Sequence, residues 1–173
     1  MTRQIKPIQV LVVGLGNELL TDDGVGVHVV RMLQETPPVD GVEVLEVGTA
    51  ILHAQHLIEQ AAHVIAVDAV RAGDEPGAIY RFDVDQAHMN RPTTLHELGI
   101  VGVLKLIPEQ RRPQVTILGI EPETIGYGME LSSAVQASLP RAVKVAREMM
   151  KNILSRKAGC HARLITNDLN VAL

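Results

Sequence analysis

The segment that most constrains the fold is VLVVGLGNELLTDDGVG, which spans Val10–Gly26. Its β-branched apolar run ends at two glycines, Gly14 and Gly16, and two adjacent carboxylates, Asp22 and Asp23, follow. An apolar run that ends in glycines and acids is typical of a buried strand that presents a site at its carboxyl end. Two neighbouring like charges at such a turn do not help packing, so they indicate a role with a metal ion or a proton.

Composition limits the classes of protein that this chain can be. Its 173 residues fit one domain, and 46% hydrophobic with 21% charged residues is enough to build a core. An aromatic content of 2% and a net charge of −4 argue against nucleic acid as a partner. A single cysteine, Cys160, excludes an internal disulfide.

Strands and helices alternate along the predicted chain. Five β-branched segments predict strands, at about Ile8–Gly14, Val42–Val47, His63–Val70, Ala78–Asp83 and Gln114–Ile120. Four periodic segments predict helices, at about Asp23–Glu35, Thr49–Gln60, Leu95–Ile107 and Ser132–Arg156. This order predicts an α/β fold, a single-domain three-layer α/β/α sandwich around a mostly parallel five-stranded sheet.

Two local signals add detail to this fold. The turn Gly73–Gly77 leads into Tyr80 without a helix, so we expect an antiparallel hairpin strand and hence a mixed sheet. Pro140 lies inside the last helix and predicts a kink or break near Ser138–Leu139.

The two ends of the sequence indicate the bounds of the domain and the compartment of the protein. Residues 1–156 are expected to form the domain, and residues 157–173 lack clear periodicity and are expected to form a mobile tail. No apolar run reaches about 18 residues, and the first residues lack a signal-peptide cleavage site. We therefore expect a cytoplasmic protein with no membrane partner.

Two acids and one histidine are the candidate site. Asp23 follows the first strand and Asp68 closes the run HVIAVDAV, so parallel central strands would bring both into one crevice. The structural alternatives are a helix N-cap for Asp23 and a turn-forming role for Asp68. His96 begins a predicted helix in TTLHELG, where it could reach the same crevice or lie exposed. Two carboxylates and an imidazole suit a divalent ion with open positions, or the activation of a water.

Other chemistries are less well supported. The string Gly14–Leu19 lacks the third glycine of GxGxxG, although Glu46 at the end of the second strand could imitate a ribose-binding acid. Neither a phosphate-binding GxxxxGK[ST] loop nor a GxSxG nucleophile motif occurs. Cys160 lies in the predicted tail, where nothing holds a base beside it.

Five motifs occur in order across roughly residues 9–155: GLGNELLTDDGVG (14–26), VGTA (47–50), AVDAV (66–70), HELG (96–99) and LGIEPE (118–123). In this combination the chain resembles one family, the hydrogenase maturation endopeptidases. Members of this family trim a C-terminal extension from the precursor of a nickel–iron hydrogenase large subunit.

The resemblance implies a function and a set of site residues. An acid of the first motif, the strand-end aspartate and the histidine of HELG form the family's metal site, which places it here at Asp23, Asp68 and His96. Some relatives carry Glu where Asp23 stands. The resemblance further implies that nickel arrives inside the substrate and that the protease cuts only a loaded precursor.

Further residues and alternatives remain open at this stage. Gly48, Thr49 and Glu97 are expected to shape the substrate groove. A metallopeptidase with its own permanently bound zinc is one alternative function. A non-catalytic nickel- or nucleotide-binding module is the other.

Overall fold

A computed structural model describes residues 7–84 and 95–167 of the chain, and for residues 95–98 and 157–167 it describes the backbone alone. The described residues form one sheet of five strands: β1 (Val10–Leu15), β2 (Val42–Gly48), β3 (His63–Ala69), β4 (Ile79–Asp83) and β5 (Gln114–Ile120). The strand order is β2-β1-β3-β5-β4, with β4 antiparallel to β5 and all other pairs parallel. The predicted mixed, mostly parallel five-stranded sheet is therefore confirmed.

The position of β4 differs from the hairpin that its short connection predicts. β4 pairs with β5 (Ile79 opposite Ile120), while β3 lies between β1 and β5. Nearly all of β3 is buried, whereas β4 alternates between half-buried and exposed residues. An amphipathic strand is stable at the edge of a sheet and a uniformly apolar one is stable at its centre, so β5 displaces β4 from the position beside β3.

The four predicted helices are present, two of them with later starts. They are α1 (Val25–Gln34), α2 (Gln55–Gln60), α3 (Leu95–Leu106) and α4 (Ser133–Asn167). A 3-10 turn, Thr21–Gly24, precedes α1, and another, Ile51–Ala54, precedes α2, so the predicted helical patterns include these turns. A third 3-10 turn, Glu109–Arg111, leads into β5.

Strand alternation divides the core into two apolar layers, one on each face of the sheet. Helices α1 and α4 pack on one face, where the buried residues include Val10, Val12, Val29, Ile65, Leu118, Leu139 and Ala142. The turn before α2, α2 itself and α3 pack on the other, where the buried residues include Leu11, Val13, Ile58, Val64, Ala66, Ile100 and Val103. Burying a Val or Leu side chain of this kind contributes about 1.5–3 kcal/mol, so these layers hold the sandwich together.

Pro140 does not break the last helix. α4 runs from Ser133 to Asn167 through Pro140, although proline removes one backbone hydrogen bond. The apolar side chains of Val135, Leu139 and Ala142 are buried on both sides of the proline, and their packing holds the helix against the sheet. A break is therefore wrong, while a kink near Ser138–Leu139 and the division into a domain of residues 1–156 and a mobile tail of residues 157–173 stay predictions.

The topology creates a crevice between the carboxyl ends of β1 and β3. From β1 the chain leads outward to β2, and from β3 it leads in the opposite direction, toward β5 and β4. Loops that diverge in this way leave an opening above the sheet, where α/β proteins bind their ligands. Along residues 7–84 and 95–167, no helix combines the length and apolar composition that a membrane span requires.

Candidate functional site

Two buried carboxylates lie at the crevice between β1 and β3. Asp23 belongs to the 3-10 turn that follows β1 and is 8% exposed, and Asp68 is the penultimate residue of β3 and is 2% exposed. The first turn of α1, which directly follows the Asp23 turn, packs against the strand end: a Cβ on Gly26 would lie 2.1 Å from the carbonyl oxygen of Val67. The two strands that the sequence analysis paired are thus neighbours, and the structure brings their acids to one edge of the sheet.

Alternation along β3 sets the side of the sheet that Asp68 faces. Val64 and Ala66 point into the layer that contains α2 and α3, while Ile65 and Val67 point into the opposite layer. Asp68 follows the first set because successive side chains of a strand alternate between faces. It therefore belongs to the α3 side, and its Oδ1 accepts a hydrogen bond from the backbone N–H of Ala69 at 2.9 Å.

The glycine loop holds Asp23. Its Oδ2 accepts a hydrogen bond from the backbone N–H of Asn17 at 2.8 Å, and no side chain caps the start of the turn or of α1. A Cβ on Gly16 would lie 1.8 Å from the carbonyl oxygen of Asp23, and Gly16 has a φ of +116°. Only glycine permits this close approach, and the N-cap alternative for Asp23 is wrong because its carboxylate binds the preceding loop instead.

His96 lies in the first turn of α3. Its side chain falls outside the described part of the structure, as does that of Glu97. Among the described side chains, no group of three His, Cys, Asp or Glu residues is arranged to hold a metal ion. The three-residue site of Asp23, Asp68 and His96 therefore stays a prediction.

Asp22 has a different role from its neighbour. It is fully buried, and its carboxylate accepts three backbone hydrogen bonds, from Ser132 at 2.7 Å, Glu123 at 2.9 Å and Thr124 at 3.0 Å. All three donors belong to the segment between β5 and α4. Asp22 thus fastens the loop of residues 121–132 to the turn that carries Asp23.

Glu121 is a fourth buried acid at this edge, after Asp22, Asp23 and Asp68, and the sequence analysis assigned it no role. It follows β5 directly and accepts hydrogen bonds from the N–H groups of Ala72 (2.8 Å) and Gly73 (3.3 Å) and the hydroxyl of Tyr80 (2.7 Å). It thereby fixes the loop that leaves β3 just after Asp68. The rule that singled out Asp68, an acid closing an apolar strand, would also have found Glu121.

These contacts shift two pKa values. Burial acts to raise the pKa of Glu121, but the hydrogen bonds from Ala72 and Tyr80 outweigh it, so the pKa lies below its usual value. Burial, followed by the hydrogen bond to Glu121, raises the pKa of Tyr80 to about 12. Glu121 is therefore ionised and Tyr80 protonated at neutral pH, as the hydrogen bond between them requires.

Glu121 is expected to make stability depend on pH. A carboxyl with a lowered folded-state pKa stabilises the fold above its unfolded pKa and loses that contribution as pH falls through the folded-state value. Glu121→Gln should lower the free energy of unfolding at pH 7 by about 1 kcal/mol or more. The deficit should shrink as the wild-type carboxyl is protonated below pH 4.5. Urea unfolding at several pH values measures this, and a deficit that is constant with pH would contradict the assignment.

The remaining candidates lie around the same edge. Gly48 ends β2 with a φ of +59°, and its carbonyl accepts a hydrogen bond from the N–H of Gly16 at 3.3 Å. Thr49 is exposed and lines a groove of about 390 Å³ between residues 49–53 and residues 99–103 of α3. Glu46 does not face an open position, because Arg31 bridges it (2.8 Å) and Glu18 (2.7 Å). This gives no support to a ribose-binding role for Glu46.

The fold and the site define a doubly wound α/β protein with a carboxylate pair at its topological switch point. The family model for hydrogenase maturation proteases matches residues 27–149. The chain belongs to this family and is an endopeptidase.

Individual relatives agree with this assignment. The chain is 30% identical to the hydrogenase 2 maturation protease of Escherichia coli, over 79% of this chain and 87% of that protein. It is 32% identical to the hydrogenase expression/formation protein HoxM of Azotobacter vinelandii, over 82% of this chain and 72% of that one.

Solved structures share the fold. The hydrogenase maturating endopeptidase HybD from E. coli superposes with a TM-score of 0.75 at 27% identity, over 83% of this chain and 93% of that chain. The [NiFe] hydrogenase maturation protease HybD from Thermococcus kodakarensis gives a TM-score of 0.68 at 32% identity, over 82% and 98% of the two chains.

Proposed function

We propose that this endopeptidase removes the C-terminal extension of a nickel–iron hydrogenase large-subunit precursor in the cytoplasm, and that Asp23, Asp68 and His96 recognise nickel that the precursor already carries. The observation that carries the proposal is the pair of buried carboxylates, Asp23 and Asp68, at the ends of adjacent parallel strands. The similarity to a [NiFe] hydrogenase maturation protease supports the choice of substrate.

The donor set fits the recognition of an ion held by a partner. Two carboxylates and one imidazole are ligands that a divalent first-row metal accepts, and three ligands leave positions for those of the substrate. The carboxylates are held by backbone N–H groups of Asn17 and Ala69, so they are oriented before the substrate arrives. A carboxylate at this place can also accept a proton from the water that attacks the peptide bond.

The neighbouring groove provides a path for the extension. Thr49 lines this groove, Gly48 directly precedes it at the end of β2, and Glu97 is in the first turn of α3, two residues before the lining residue Gly99. An extended peptide laid between them would pass the edge where Asp68 lies. We therefore retain these three residues as proposed substrate contacts.

Incubation with a nickel-loaded precursor tests the function, with the loss of the extension followed by mass spectrometry. Wild-type protein is expected to release the extension. His96→Ala should slow this release about tenfold or more because it removes a proposed metal ligand, and a Tm within about 3 °C of wild type would show that the variant is folded. His56→Ala, which replaces an exposed histidine on α2, is the matched control and should cleave normally.

Three outcomes would contradict the proposal. Normal cleavage by His96→Ala would remove this histidine from the site. Elemental analysis of the purified protein separates the alternatives: one tightly bound zinc per chain would favour a metallopeptidase with its own ion. Metal or nucleotide binding without any cleavage would favour the non-catalytic module.

A further inference from the structure

Four apolar side chains stand exposed beside the carboxylate crevice. We call Leu19, Ile125, Tyr127 and Met129 the apolar rim; Tyr127 is 99% exposed and Met129 is 70% exposed. They come from two segments that are joined through their backbones, since Gly128 donates to the carbonyl of Leu19 at 3.1 Å. Exposing large apolar side chains to water is unfavourable, and exposed apolar patches of this kind mark interaction sites.

Hydrogen bonds hold the backbone of the rim in place. Thr21 adopts a φ of +47°, a left-handed conformation that is strained for threonine. Its hydroxyl donates to the carbonyl of Thr124 at 2.9 Å and accepts from the N–H of Gly126 at 3.2 Å, while its N–H donates to Gly128 at 2.8 Å. The bonds to Asp22 anchor the same loop at Glu123 and Ser132. A partner that binds here does not have to order the loop first, which lowers the entropic cost of binding.

The rim continues the candidate site. Leu19 is four residues from Asp23 in sequence, and Leu20 pairs with Gly128 as an isolated bridge. The rim therefore borders the turn that carries Asp23.

The negative charge around the rim limits the kind of partner that can bind there. Glu123 and Glu130 flank the rim and are exposed, and the whole chain carries a net charge of −4. Two copies of this chain placed rim to rim would bring these acids together, which opposes self-association. A partner surface that is apolar and bordered by lysine or arginine would complement both the apolar rim and the acids that flank it.

We propose that the apolar rim is a docking surface for the folded body of the large-subunit precursor, which would present an apolar patch with basic residues around it. This inference rests on the proposed function. Four side chains are too few for a whole interface of about 800 Å² per partner, so the rim would supply its central anchors. Tyr127 combines a rigid apolar ring with a polar tip and is the residue type most enriched at such anchors together with Trp and Arg.

Binding of a nickel-free precursor tests the docking surface by itself. Isothermal titration should give a dissociation constant about tenfold higher for the double variant Tyr127→Ser/Met129→Ser than for wild type. The control is Leu106→Ser, which replaces a 61% exposed leucine at the far end of α3, and it should bind like wild type. Circular dichroism should show the same Tm for all three proteins, because none of these side chains is buried.

The outcomes separate the two proposals. Equal affinity of wild type and double variant would overturn the docking surface even if wild type cleaves loaded precursor. If sedimentation showed a dimer for wild type and a monomer for the double variant, the docking surface would also be overturned, because a second copy would then occupy the rim. Failure of wild type to cleave loaded precursor, with binding still weakened in the double variant, would count against the proposed function and leave the docking surface standing.

Discussion

Precursor that carries nickel is expected to be cleaved at least about a hundredfold faster than the same precursor without nickel. Each shared ligand bond adds binding energy, and about 1.4 kcal/mol corresponds to tenfold, so two such contributions suffice. The carboxylates of Asp23 and Asp68, both buried at one edge of the sheet, strengthen the preference because a divalent cation attracts negatively charged groups.

The measurement is the initial rate of extension release from both forms at one concentration, followed by mass spectrometry. Refilling the empty precursor with nickel is the control and should restore the rate. Equal rates before and after refilling would show that the protease reads the peptide alone, while its assignment as an endopeptidase would stand.

Asp22→Ala is expected to destabilise the fold by more than about 3 kcal/mol. Removing a buried carboxylate leaves its donors unsatisfied, at about 1–3 kcal/mol for each group. Here the donors are three backbone N–H groups, of Glu123, Thr124 and Ser132. This exceeds the loss of about 1 kcal/mol that an ordinary helix cap would predict.

Denaturant unfolding of wild type, Asp22→Ala and Asp22→Asn measures this effect. The asparagine variant keeps one oxygen acceptor but turns the other into a donor that faces an N–H group, so its stability should lie between the other two. A loss near 1 kcal/mol for the alanine variant would mean that water satisfies the loop and that Asp22 does not fasten it.

The elements of the fold could be predicted because their signals are local. β5 matches its predicted bounds, Gln114–Ile120, since a β-branched run identifies a buried strand without knowledge of its neighbours. The strand that pairs with β4 could not be predicted from a local signal of this kind. It depends on a competition between β4 and β5 for the edge of β3, and β5 lies more than thirty residues further along the chain.

The site shows the same division between local and distant information. The position of Asp23 and Asp68 at neighbouring strand ends follows from strand order and parallel pairing, which the motif pattern indicates. The role of Asp22 does not, because its hydrogen-bond partners lie 101 to 110 residues away. Two adjacent aspartates look alike in sequence, and only the distant loop shows that Asp22 is the one that fastens it.

The position of β5 between β3 and β4 has a consequence for the order in which a growing chain can fold. Until residues 114–120 have been synthesised, β3 has an unpaired edge and β4 has no strand to pair with. The loop that Asp22 anchors and the carboxylate of Glu121 follow β5 and arrive later still. A nascent chain that ends before β5 is therefore no partial protease; it exposes a hydrophobic strand edge that other chains can pair with. The last donor to Asp22, Ser132, is made only after about three quarters of the chain, so the turn that carries Asp23 is not fully fastened before then.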